Sequence, residues 1–150
     1  MITDVNMNKA DISDLLVPWG NGISARLDLM CLAEFPAIFF LTGSVADGSN
    51  SPQDLDFFVE YSPQVMTLLQ RLDFVPIFSR YKKDPFVREV LRKEGIPTID
   101  IQLIRSAGLL KKLALMKDFH TLAPHLPDKS AKKLLLDTLL HGYYQEELRR

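Results

Sequence analysis

Cysteine is nearly absent: Cys31 is the only one in 150 residues. An internal disulfide is therefore excluded, and a lone thiol fits a reducing compartment. Trp19 is the only tryptophan, and His120, His125 and His141 have no cysteine partners at zinc-ligand spacing. No apolar run approaches the roughly 20 residues needed to cross a bilayer, so no membrane partner is expected. The opening stretch MITDVNMNKADISD is polar and acidic, unlike a signal peptide, which makes a cytoplasmic location the expectation. Internal repeats, low-complexity tracts and linker-like segments are also missing.

What is present suits one compact domain over residues 1–150, with 47% hydrophobic residues to fill a core. The net charge is only −1, but it is unevenly spread. Residues 1–60 hold nine acids against two bases, and residues 61–150 hold ten acids against sixteen bases. That asymmetry marks either a face turned toward a polyanion or ordinary solvated helix surfaces. Nucleic acid is thus a possible partner through the basic residues between 80 and 112.

The densest chemistry lies between Phe39 and Tyr61, FFLTGSVADGSNSPQDLDFFVEY. An apolar run, Ala37 to Leu41, reads as a buried central strand ending at Thr42-Gly43-Ser44. A polar loop follows, and a second strand, Leu55 to Tyr61, begins beside Asp54-Leu55-Asp56. Strand residues two apart share a face, so Asp54 and Asp56 project together while Leu55 enters the core. Two like charges so placed repel, and a divalent cation between them resolves the conflict, because hard cations take carboxylate and phosphate oxygens. Gly43 permits close backbone approach to a ligand, and Ser44 offers an N–H and a hydroxyl to a phosphate oxygen.

Gly43-Ser44, the nine residues Val45 to Gln53, and Asp54-Leu55-Asp56 together resemble the signature of the polymerase β nucleotidyltransferase superfamily. The alternating run Thr98 to Ile104 places Asp100 where that family carries a third carboxylate. The DFFV run and the IDIQLI strand also look like small nucleotidyltransferase-like proteins of bacteriophages and bacteria. The resemblance spans most of Ala37 to Ile104 and departs from the family pattern at Val45, where many members have arginine. It implies an α+β fold: a mixed central sheet flanked by helices, with a core over about 23–105 and a small helical part over about 106–150. It also implies transfer of a nucleoside monophosphate from an NTP, ATP among them, to a hydroxyl on RNA, protein or a small molecule, by a two-metal mechanism. Asp54, Asp56 and Asp100 would then be the catalytic residues and the ligands of Mg²⁺ or Mn²⁺, and Gly43 and Ser44 would hold the triphosphate. Arg105, with Lys111 and Lys112, follows Asp100 closely enough to reach phosphates or an acceptor. Two other readings stand beside this one. The chain is alternatively a binding or regulatory module of the same fold with a weakened site, or Asp54-Leu55-Asp56 is the metal motif of a glycosyltransferase.

The remaining pattern predicts a short helix from Asp11 to Pro18. A second helix over Ile23–Glu34 has Ile23, Leu27, Met30 and Cys31 recurring at helical spacing, with Leu29 and Ala33 beside them. A third is capped by Ser62 and stopped near Asp73, with Val65, Leu68, Leu69 and Leu72 buried. A short strand over Phe74–Phe78 and a charged loop lead into Phe86–Lys93, which has helix formers but reads as the first arm of a hairpin turning at Glu94-Gly95. Ser106 is expected to cap a helix to about Leu122 with Leu109, Leu110, Leu113 and Met116 inward. Asp128 is expected to cap the last helix, burying Leu134, Leu135, Leu139 and Leu140.

Overall fold

The computed structural model describes residues 9–20, 23–35, 37–42, 54–77 and 84–148. In chain order the elements are helices α1 (Lys9–Leu15) and α2 (Ile23–Glu34), strands β1 (Phe39–Thr42) and β2 (Asp54–Glu60), and helix α3 (Pro63–Arg71). Strands β3 (Val75–Pro76), β4 (Val87–Lys93) and β5 (Thr98–Ile104) follow, then helices α4 (Leu109–Leu122) and α5 (Lys129–Leu148). The five strands form one mixed sheet in the order β1-β2-β5-β4-β3. The central pair, β2 and β5, is parallel, and every other pairing is antiparallel. The architecture is α+β, as the sequence suggests.

Alternation along the strands divides the core in two. One face sets Phe39 and Leu41 beside Leu55, Phe57 and Val59, and these beside Ile99, Ile101 and Leu103; Ile12, Leu16, Leu29, Leu32, Val65 and Leu69 of α1 to α3 cover it. The opposite face carries Phe40, Phe58, Val90 and Ile104 beneath Leu115, Met116 and Phe119 of α4, with Leu135, Leu136, Leu139 and Leu140 of α5 packed behind. The helices that come before and between the strands thus lie on one side, and the two C-terminal helices on the other.

Local signals explain most of the boundaries. The Ser62 hydroxyl accepts the Val65 N–H at 3.1 Å, with Pro63 opening α3. Asp128 does the same for α5, accepting the Ala131 N–H at 2.8 Å. Val87–Lys93 is a strand, paired antiparallel with β5 across the expected turn.

Four expectations are corrected. β1 is an edge strand among the described residues, not a central one; its run is continuously apolar because helices bury both of its faces. Helix α2 has the expected ends but a shifted inner face: Leu29 is buried as its pattern implies, Ala25, Asp28 and Leu32 are buried with it, and Leu27 (62%) and Cys31 are exposed. Ser106 opens a 3-10 turn rather than capping α4, which starts after Gly108 with no side-chain cap; the ring of Phe86 lies 2.6 Å from where a Cβ on Gly108 would stand. Leu110 and Leu134 are 79% and 69% exposed, while Lys112 is buried.

Candidate active site

Strand register decides which of the predicted residues meet. Asp56 lies opposite Thr42 on β1 and beside Asp100 on β5, and Asp100 lies opposite Arg92 on β4. Directly paired residues share a sheet face, so Thr42, Asp56, Asp100 and Arg92 form one polar row across four strands. Asp54, two residues before Asp56, joins the same face beside Thr98. Neighbouring strands are about 4.8 Å apart, which brings the backbones of Asp56 and Asp100 that close. The next row, Phe40, Phe58, Gln102 and Val90, is already under the helices. The Phe40 and Phe58 rings meet edge to face at 5.0 Å. The acidic row therefore borders a packed apolar layer at the end of the sheet where β2 and β5 begin.

Arg92 dominates the electrostatics. Its Nε donates to Asp100 Oδ1 at 2.6 Å and its Nη2 to Oδ2 at 3.1 Å, a two-pronged clamp that matches the planar fork to the carboxylate. The Asp100 side chain is 13% exposed and that of Arg92 is 37% exposed. Glu94 stands 3.8 Å from the other end of the guanidinium. The Asp100 hydrogen bond, with the charges of Asp100, Glu94 and Asp54, holds Arg92 protonated beyond the usual arginine range.

At the other end of the row, Thr42 Oγ1 lies 3.0 Å from His120 Nε2, and both residues are 2% exposed. His120 thus links α4 to the last residue of β1. Behind it, Lys112 Nζ donates to Asp84 Oδ2 and sits 5.0 Å from the centre of the Phe58 ring. Burial pushes the Lys112 amine below its usual range, against the opposing pull of Asp84. The second Asp84 oxygen accepts the Phe86 N–H at 2.9 Å.

Asp54, Asp56 and Asp100 are thus brought to one face. Gly43 and Ser44 lie outside the described residues. Arg105 is not brought to the aspartates. It follows the far end of β5, five residues from Asp100 and roughly 17 Å away at strand rise, exposed, with its N–H donating to Phe86 O. Of the basic residues between 80 and 112, Arg80, Lys82 and Lys83 lie outside the described residues. Arg92, Lys93 and Lys112 are engaged by Asp100, Asp28 and Asp84, and the Arg88 guanidinium lies 4.2 Å over the Tyr61 ring. Sequence reasoning missed Arg92 as a site residue. Taken as a two-residue turn, Glu94-Gly95 would set Glu89 opposite Asp100; the observed register is centred on Ile96 and brings Arg92 there instead.

Hard carboxylate oxygens are the right donors for Mg²⁺ or Mn²⁺. A three-carboxylate site does not fit this arrangement, because the Arg92 guanidinium already sets a positive charge against Asp100. Among the described residues no group of three His, Cys, Asp or Glu is placed to hold a metal ion. Nor is any helix among them long and apolar enough to cross a membrane. Comparison with known proteins finds no matching family model, no similar curated protein and no similar solved structure.

Proposed function

We propose that the chain is a nucleotidyltransferase of the polymerase β type, acting in the cytoplasm on an NTP and a hydroxyl-bearing acceptor. The observation that carries this reading is the parallel pairing of β2 with β5, which sets Asp56 beside Asp100 with Asp54 on the same face. Thr42, the residue before Gly43-Ser44, stands in the same row. Asp54 and Asp56 would hold one Mg²⁺ or Mn²⁺ entering with the NTP; when bound, the cation neutralises charge on the phosphates as pyrophosphate leaves. Gly43 and Ser44 would take phosphate oxygens. The acceptor oxygen forms a bond to the α-phosphorus, the bond to pyrophosphate breaks, and the hydroxyl proton passes toward Asp100, which Arg92 orients. Positioning and charge stabilisation supply most of the rate in such transfers.

A second reading, a nucleotide- or partner-binding module of the same fold without turnover, is favoured by the Arg92 clamp, since both Asp100 oxygens already accept hydrogen bonds. One experiment separates them. The purified protein is incubated with each α-labelled NTP, Mg²⁺ or Mn²⁺, and a cell extract. Transfer to RNA, protein or a small molecule is expected, with a loss of at least about 10³-fold in Asp56→Ala, the scale of removing a group that stabilises the reacting centre. Turnover undiminished in Asp56→Ala refutes the site; binding without labelling favours the module.

A further inference from the structure

Arg92 supplies Asp100 with the positive charge that the resemblance expects from a metal ion. Asp56 and Asp100 are adjacent carboxylates on neighbouring strands, and like charges so placed repel. The guanidinium supplies the countercharge from within the chain. It reaches both Asp100 oxygens at 2.6 and 3.1 Å, and Asp100 is largely shielded from water. The two partners sit opposite each other in a hairpin whose backbone register fixes their separation. An incoming cation on Asp100 would stand beside the guanidinium that already pairs with both of its oxygens, one positive charge against another.

We infer that Arg92 substitutes for a second cation, so that the acidic row takes no more than one divalent ion and Asp100 is not a metal ligand. This rests on the reading above only for the ion assigned to Asp54 and Asp56. Arg92 is then a positioning residue: it fixes the orientation and charge of Asp100 without contributing a group to the transferred phosphate.

The test counts bound Mn²⁺ per chain from the electron paramagnetic resonance signal of the free ion, with no nucleotide present. Wild type is expected to bind no more than one ion at the row. Asp100→Asn should bind the same number as wild type, because its carboxylate is not a ligand. Arg92→Gln should gain one ion, and Arg92→Gln combined with Asp100→Asn should lose that gain. Arg92→Lys, which keeps the charge, should behave as wild type. Loss of an ion in Asp100→Asn overturns the inference, and so does a folded Arg92→Gln protein that gains none. If Arg92→Gln fails to fold, as read by circular dichroism, Asp100→Asn decides alone. Absence of label transfer alongside these Mn²⁺ counts removes the functional reading and leaves the inference standing.

Discussion

On one face of the sheet, Leu55, Phe57 and Val59 of β2 meet Ile99, Ile101 and Leu103 of β5, and no polar side chain interrupts the rows. On the other face the same two strands begin with Asp54, Asp56, Thr98 and Asp100, and apolar packing resumes only at Phe58 and Ile104. The backbone, the hydrogen-bond ladder and the neighbours in sequence are common to both faces. What differs is the occupant of alternate positions: the first face carries charge at its margin, where Lys93 pairs with Asp28, and the second carries a row of carboxylates against a buried layer. Desolvated charges cost several kcal/mol each unless paired. Among the described residues, Arg92 on Asp100, Lys112 on Asp84 and His120 on Thr42 offset part of that cost on the second face.

Adjacent residues on opposite faces give the sharpest test of this contrast. Phe57→Ala should cost about 4 kcal/mol of unfolding free energy, the range for emptying a buried aromatic site. Asp56→Asn, which keeps the shape of a side chain at the margin of the second face, should cost far less than that. Urea titration of the two variants checks this, and a large loss in Asp56→Asn would show that the row is structural.

The buried pair beneath the second face comes next. Asp84→Asn should destabilise by about 3 kcal/mol, because it strands the Lys112 ammonium in an apolar layer. Lys112→Met added to it should recover much of that loss, and a double-mutant cycle in urea measures the coupling. Additive losses would mean that the two groups do not stabilise one another. The smallest effect belongs to the Thr42 contact. Thr42→Val keeps the shape and removes one hydrogen bond, for an expected cost of about 1 kcal/mol. Thr42→Ser should stay near wild type in the same thermal melt.

Legibility in the sequence followed the range of the interactions. Helix α2 ends where its pattern and Pro36 imply, and Ser62 and Asp128 cap as expected. The hairpin over 87–104 and the shared face of Asp54 and Asp56 were readable because they depend on residues a few positions apart. The inner face of α2 was not, because Asp28 turns inward to Lys93, a partner from β4. Lys112 belongs to the core only because Asp84 is there, and Leu110 is correspondingly left outside. Arg105 seemed close to Asp100 because they are near in sequence, but a strand carries five residues far apart. Arg92 reaches Asp100 from the neighbouring strand.

The hairpin has a consequence for the order in which the molecule assembles. Arg92 and Asp100 belong to one local turn, whereas Asp56 joins Asp100 only when β2 and β5 pair across α3, β3 and β4. Short loops close at lower entropic cost than long ones, and local contacts form sooner. By loop-closure entropy, Asp100 meets its guanidinium before it meets Asp56. The central strand pair then zips together against a carboxylate whose charge is already covered, and the repulsion that would oppose the last long-range step of folding is removed in advance.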